Sequence, residues 1–341
     1  MNQCELVGLH LAGRYGCFIE GDLIESSSSN ERDSVRKDKP SITAYKVSLN
    51  VVTSGSKPGM DKVLPPGIVE ATANLLVASG AARARVVRTS RSRRMVSIYD
   101  AFDRLLPGQF EALAHRKAFC ERQVREGISA GATQILVLGA GYDTMGWRLT
   151  PECSRVSFFG IDHPATARLK AKGIEFMGQR DNLCLIAGDL GKQNLVDLLK
   201  ASESWDRRAR TVIVAEGLVM YLPPEAVQDL FRQCAEMVGV GSRIAFTCLP
   251  TGADGRPDAG PWTGLVLWLL KVGGEPWIWS IRPEALSLFL GEMGWTNTPE
   301  LEGTTGQHGV EFYGVATKSP EISETGEVNL PEQDNLPGRQ D

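Results

Sequence analysis

Four short apolar runs, each ending at a glycine or a carboxylate, constrain this chain more than any other feature. They are Gln134–Leu138, running into Gly139; Val156–Ile161, ending at Asp162; Leu183–Ala187, ending near Asp189; and Thr211–Ala215, ending at Glu216. A fifth run covers Arg243–Thr247. Runs this short that are apolar throughout, rather than alternating, read as strands buried on both faces. Longer amphipathic stretches separate them, roughly Thr166–Lys172, Asn194–Ser202, Pro224–Val238 and Pro283–Met293, and a long one at Gln109–Ile128 leads into the first strand. Pro224 suits the first turn of a helix, where its missing N–H has no partner to lose. Strand–helix–strand alternation with such strands implies an α/β fold, a parallel sheet with helices on both faces.

The ends differ from this middle. Residues 1–40 contain Ser26-Ser27-Ser28-Ser29-Asn30 and then a mixed-charge stretch to Lys39. Residues 319–341 hold six acidic residues against one arginine. Neither segment carries enough apolar surface to offset chain entropy, so both are expected to be disordered tails around a domain at 41–318. The 37 basic and 41 acidic residues leave a net charge of −4, which argues against a uniformly basic nucleic-acid binder. Seven scattered cysteines without a CxxC pair exclude a disulfide framework or zinc ribbon, and the four histidines never adopt ligand spacing, so no metal is expected. The N-terminus lacks a signal-peptide pattern, and the longest apolar stretch, Trp262–Val272, is too short to span a bilayer. A cytoplasmic protein is the expectation.

In an open parallel sheet, ligands bind beyond the carboxyl ends of the strands. There this chain places Gly139-Ala140-Gly141-Tyr142-Asp143-Thr144 and then the carboxylates Asp162, Asp189 and Glu216. Glycines at a strand-to-helix turn let backbone approach a ligand closely. Asp162, 21 residues past Gly141, is placed to accept from both hydroxyls of a ribose. Asp189 can accept from an adenine amino group, and Glu216 can meet a cationic part of the ligand. A pyrophosphate dinucleotide such as NAD competes for this reading, but its fingerprint wants glycine where Thr144 stands, and Asp143 would repel phosphate. An adenosine ligand without phosphates and with a positive centre fits better, and S-adenosylmethionine has that character.

The segment Ile135-Leu136-Val137-Leu138-Gly139-Ala140-Gly141-Tyr142-Asp143-Thr144, followed by Trp147-Arg148-Leu149, resembles the LGAGxDTxxxRL signature of the leucine carboxyl methyltransferase family. The likeness continues in Gly160–Thr166, in Ala187-Gly188-Asp189-Leu190 and in Ala215–Leu222, covering about Ser41 to Lys318. The resemblance implies a class I methyltransferase (Rossmann-like) fold: a mostly parallel, seven-stranded sheet behind an N-terminal helical lid at 41–130, the core running from 131 to 318. It implies S-adenosylmethionine as methyl donor, bound by Arg116, Gly139, Gly141, Asp162, Asp189, Leu190 and Glu216. Arg116 matches the family's carboxylate-holding arginine on the helix before the first strand. Lys46 is the nearest match to a lysine that reaches the cofactor from the N-terminal edge.

The acceptor is less legible. Methyl transfer to oxygen is an in-line displacement that needs alignment and exclusion of water, and a carboxylate acceptor needs no general base. No catalytic base is assigned; Tyr221, just beyond Glu216, is a candidate to face the acceptor. Residues 249–281, inserted after the fifth strand, carry Trp262, Trp268, Trp277 and Trp279, which either wall an apolar acceptor pocket or pack as an ordinary lid. Arg83, Arg85, Arg88, Arg91, Arg93 and Arg94 form a basic stretch without interleaved aromatics, which reads as a solvated face rather than an RNA contact. The expected activity is O-methylation of a small-molecule carboxylate or hydroxyl. Protein C-terminal carboxyl methylation, tRNA modification and donor binding without turnover are the alternatives.

Overall fold

The structure, a computed structural model, describes residues 17–20, 39–105, 109–298 and 311–319. Most of the two expected tails, 1–40 and 319–341, lies outside the described residues.

Each apolar run forms a strand: β2 (Gln134–Leu138), β3 (Ser157–Asp162), β4 (Leu183–Ala187), β5 (Thr211–Ala215) and β6 (Arg243–Cys248). All five are parallel. The last two strands, β7 (Trp295–Asn297) and β8 (Phe312–Lys318), complete the far edge as antiparallel neighbours. Successive residues of β2 face opposite cores. Leu136 and Leu138 pack with Phe159, Ile213 and Phe231, whereas Ile135 and Val137 pack with Phe119, Phe158 and Val214. Continuous hydrophobicity is what burial on both faces demands.

The described sheet has eight strands, not the seven expected. Its order is β1-β4-β3-β2-β5-β6-β8-β7, the additional member being β1 (Cys17–Glu20), within the segment expected to be unstructured. It lies parallel to β4 with Cys17 opposite Cys184, and Glu20 pairs with Arg168. A four-residue strand flanked by polar sequence has no pattern of its own. It forms because β4 offers an edge of unpaired N–H and C=O groups that an extended segment can complete.

Helices precede and interleave the strands. Over 41–130 lie α1 (Ile42–Ser54), α2 (Ile68–Ala78), α3 (Ala84–Ser90), α4 (Arg93–Leu105) and α5 (Gln109–Ser129). Contacts among Val51, Met60, Leu64, Ile68 and Ala114 join α1, α2 and α5. In the sheet region come α6 (Met145–Leu149), α7 (Pro164–Met177), α8 (Leu195–Lys200) and α9 (Pro224–Glu236), then α10 (Thr263–Gly273) and α11 (Pro283–Glu292). Helix α7 outlasts the expected Thr166–Lys172: Pro164 starts it, and it ends only at Gly178, whose φ of 99° breaks the right-handed spiral. From β2 the chain winds one way through β3 and β4, then returns across β2 to β5 and β6. That reversal opens a crevice above the carboxyl ends of β2 and β5.

Candidate active site

At that crevice lies a cavity of about 680 Å³. Its wall includes Arg116, Gly139, Gly141, Asp162, Asp189, Leu190, Glu216 and Tyr221, so the residues singled out from sequence converge on one place. Gly139 turns the chain out of β2 with φ of 62°, and a Cβ there would stand 2.9 Å from Leu218 Cδ1. Only glycine fits this floor without strain. Gly141 follows with φ of 40°, and its N–H donates to Asp162 Oδ2 at 2.6 Å. Asp162 thereby ties the end of β3 to the turn after β2. Burial pushes its carboxyl up, and the Gly141 N–H and the Lys170 charge oppose that. Asp189 bonds the Gly191 N–H through Oδ1 (3.1 Å) and Lys192 through Oδ2 (3.1 Å).

The far wall is a buried ionic network. Arg116 and Lys117 are neighbours on α5, and both reach Glu216. Arg116 Nε donates to Oε1 at 3.0 Å and Lys117 Nζ to Oε2 at 3.1 Å. Lys117 also grips Asp143 Oδ2 at 2.8 Å, and Arg116 Nη1 bonds Glu311 Oε1. Burial alone would favour neutral forms, but Glu311 and Glu216 hold Arg116, and Asp143 and Glu216 hold Lys117, firmly charged. Burial likewise pushes the Asp143 carboxyl up, yet Lys117 and Lys170 outweigh it and keep it well below the usual carboxylate range. Among the described residues the Nη2 end of Arg116 makes no hydrogen bond, so one edge of the guanidinium remains for a ligand carboxylate. Gly217, with φ of 59°, leaves room for that group, since a Cβ there would stand 3.2 Å from both of its terminal nitrogens.

The third wall comes from outside the recognised motifs. Ser41 caps α1 through the Ala44 N–H at 3.0 Å and donates its hydroxyl to Glu275 Oε1 at 3.0 Å. The Thr43 N–H reaches Glu275 Oε2 at 2.9 Å. Glu275 thus clasps the first turn of α1, where its charge favours the helix N-terminus, and the clasp closes the cavity on this side. Tyr221 sits in the short turn Val219–Tyr221; burial raises its phenol, and the Trp277 indole N–H faces the hydroxyl without closing a full hydrogen bond.

One expectation requires correction, and one pair of open readings is narrowed. Lys46 is exposed on α1 and does not line the cavity, because the helix turns it away from the face bearing Ala44, Val47 and Ser48. The four tryptophans do not wall a pocket together. Trp262 and Trp268 are 48% and 60% exposed, Trp279 is buried against Phe289, and only Trp277 approaches the site. The insert reaches the cavity through Gly274, Glu275 and Pro276, anchored by the Ile278 N–H on the Met220 carbonyl. Sequence reasoning passed over Lys117, Glu275 and Glu311. Lys117 had a signal in its adjacency to Arg116; the other two had none.

Residues 67–235 match the profile described as leucine carboxyl methyltransferase. That region belongs to the leucine carboxyl methyltransferase family. The family region contains the glycine turn, Arg116, Asp162, Asp189, Glu216 and Tyr221, and leaves out Ser41, Glu275 and Glu311. A relative from Streptomyces avermitilis, provisionally named an S-adenosyl-L-methionine-dependent methyltransferase, is 30% identical over 169 residues, covering 48% of this chain and 58% of its own. One from Mycolicibacterium gilvum with the same kind of name is 31% identical over 151 residues, covering 43% and 48%. The chain spans about half the length of the curated relatives it matches. Among solved structures, a provisionally named methyltransferase from Thermobifida fusca superposes with a TM-score of 0.51 at 17% identity, covering 77% of this chain and 98% of that one. The leucine carboxyl methyltransferase region therefore sits in a class I methyltransferase, Rossmann-like fold. No helix among the described residues is long and apolar enough to cross a membrane.

Proposed function

We propose that this chain is a cytoplasmic S-adenosylmethionine-dependent methyltransferase that O-methylates a small-molecule carboxylate or hydroxyl. The observation that carries the reading is the charge and shape of the cavity above the strand ends. Its wall has five carboxylates (Asp143, Asp162, Asp189, Glu216 and Glu275) against three lysine or arginine side chains (Arg116, Lys117 and Lys192). An acid-rich wall suits a donor bearing a sulfonium and an ammonium, and it opposes a pyrophosphate. Gly139 and Gly141 leave a floor that a Cβ would obstruct, and about 680 Å³ lies within the roughly 300–1,000 Å³ of small-ligand sites.

In this reading Asp162 accepts from the ribose hydroxyls, and Asp189 and Leu190 flank the adenine. The free edge of Arg116 takes the donor carboxylate, while Glu216 faces its ammonium. S-adenosylmethionine supplies an activated methyl group, which passes to the acceptor oxygen as the carbon–sulfur bond breaks. The α1–Glu275 clasp excludes water, and Tyr221 orients the acceptor. An ionised carboxylate acceptor needs no proton removed.

Calorimetric titration with S-adenosylmethionine, S-adenosylhomocysteine and NAD tests the donor assignment. Both sulfur ligands are expected to bind, and NAD not to; binding of NAD alone overturns the reading. Incubation with S-adenosylmethionine and a panel of small acids and alcohols, read by mass spectrometry for an added methyl group, tests the acceptor class. Methylation only of peptide C-termini or of tRNA would replace it with the corresponding alternative.

A further inference from the structure

Beneath the glycine turn lies a cation that none of the roles above employs. Lys170, on α7, is 6% exposed, and its Nζ donates to the Ala140 carbonyl at 3.1 Å. The same carbonyl accepts the Asp143 N–H at 2.9 Å, while the Ala140 N–H donates to Ile161 O at 2.9 Å. The next amide, Gly141 N–H, holds Asp162. Lys170 is therefore bonded to the one peptide that joins the Asp143 and Asp162 arms of the turn.

The charged groups that face it are Asp143, Asp162 and Lys117. Of the elements packed against α7, β3 contributes only Asp162, β4 only Cys184, and α2 only Glu70, which turns outward to Arg91. The other charged residues of α7 point away: Arg168 pairs with Glu20, and Lys172 and Glu175 are exposed. Asp162 is faced by Lys170 and, less strongly, by His163. A cavity of about 10 Å³ beside Lys170 leaves no space for a larger head group.

We propose that Lys170 is a positioning residue of the candidate site: its ammonium anchors the glycine turn through Ala140 and balances the charge of Asp162 and Asp143, holding Asp162 set to accept from a ligand. The arrangement is mutual. Burial draws the lysine down to about 8, and the two carboxylates keep it charged near neutrality. In return its charge offsets the burial that raises Asp162. A buried carboxylate stripped of its balancing cation shifts toward the protonated form, and a protonated Asp162 presents an O–H donor where it had an acceptor.

The part that concerns the ligand rests on the donor assignment; the part that concerns Asp162 does not. The experiment therefore has two readouts on the full chain, for the parent, Lys170→Met and Lys170→Gln. Carboxyl-carbon NMR follows the titration of Asp162, with hydrogen exchange of the Gly141 amide measured alongside. Calorimetry follows S-adenosylhomocysteine affinity across pH. In Lys170→Met the Asp162 midpoint is expected to rise by about one pH unit. Gly141 exchange should quicken by about tenfold. Ligand affinity should drop by up to about tenfold on its acid limb, which is displaced upward by the same interval as Asp162. Lys170→Gln, which retains an N–H donor for Ala140, should restore Gly141 protection but not the Asp162 midpoint. A merely space-filling role would move none of the titrations. An unchanged Asp162 midpoint in both variants overturns the proposal. Should Lys170→Met not fold, Lys170→Gln carries the same comparison. Should the parent fail to bind the ligand, the donor assignment fails while the NMR readout still decides the role of Lys170.

Discussion

At the scale of single residues, the site is governed by which charges are buried together. Lys117 has its side chain only 10% exposed and holds both Asp143 and Glu216. Removing one partner from a buried ionic network leaves the others uncompensated, at a cost of about 3–5 kcal/mol. Lys117→Met is therefore expected to lower the urea midpoint by a corresponding amount; parental stability would show that the network contributes little. Asp162→Ala frees the Gly141 N–H and removes the acceptor at the end of β3. Its affinity for S-adenosylhomocysteine should weaken by roughly 1–3 kcal/mol, measured by calorimetry. Gly139→Arg places a large side chain at φ of 62° against Leu218, in the floor of the cavity, and should abolish that binding. If either variant binds as the parent does, the donor lies elsewhere.

At the scale of elements, the clasp between α1 and the segment after α10 decides whether the cavity is closed. Ser41 serves two partners there, the Ala44 N–H and Glu275. Ser41→Ala removes an N-cap, a loss of about 1 kcal/mol in helix stability. It also frees one Glu275 oxygen, so ligand dissociation should quicken, as stopped-flow displacement would detect; an unchanged rate would mean that the clasp does not gate the cavity. Helix α10 itself shows the limit of composition as a guide. It is apolar nearly all round, which suggests burial, yet none of its residues is buried and Trp268, Leu269 and Val272 are exposed. Sequence periodicity located the central strands and α9 closely, because their neighbours bury whatever faces them. It missed β1, whose strand conformation depends on the edge of β4 rather than on its own four residues.

At the scale of the whole molecule, the buried carboxylates set how stability responds to acid, and two of them act in opposite directions. Asp143 is held well below the ordinary carboxylate range in the folded state. Its contribution is fully present above the unfolded value of about 4 and is lost as pH falls below that toward the folded value. Asp162 is raised, so protonating it on folding favours the native state as pH falls through its folded value toward about 4. Asp143→Asn should accordingly flatten the loss of stability below about pH 4, while Asp162→Asn should steepen the decline on the way down to about pH 4. Urea unfolding at several pH values measures both slopes, and identical slopes in parent and variants would contradict the assignment of these two groups.

The sequence by itself determined the parallel sheet, its crevice and the residues at the strand ends. Strands buried on both faces must be apolar throughout, and the first residues past their carboxyl ends are the first free to be polar. Gly139, Gly141, Asp162, Asp189 and Glu216 could be read in advance because their positions follow from the local chain alone. Only tertiary structure decided which charges complete the site. Glu275 arrives from 234 residues beyond Ser41 and Glu311 from 195 beyond Arg116, separations over which no local pattern records a contact. Lys170 carries no mark in the sequence that separates it from a solvated lysine. Its burial beneath Ala140 is a consequence of how α7 packs on the sheet, and the low dielectric there makes its charge matter.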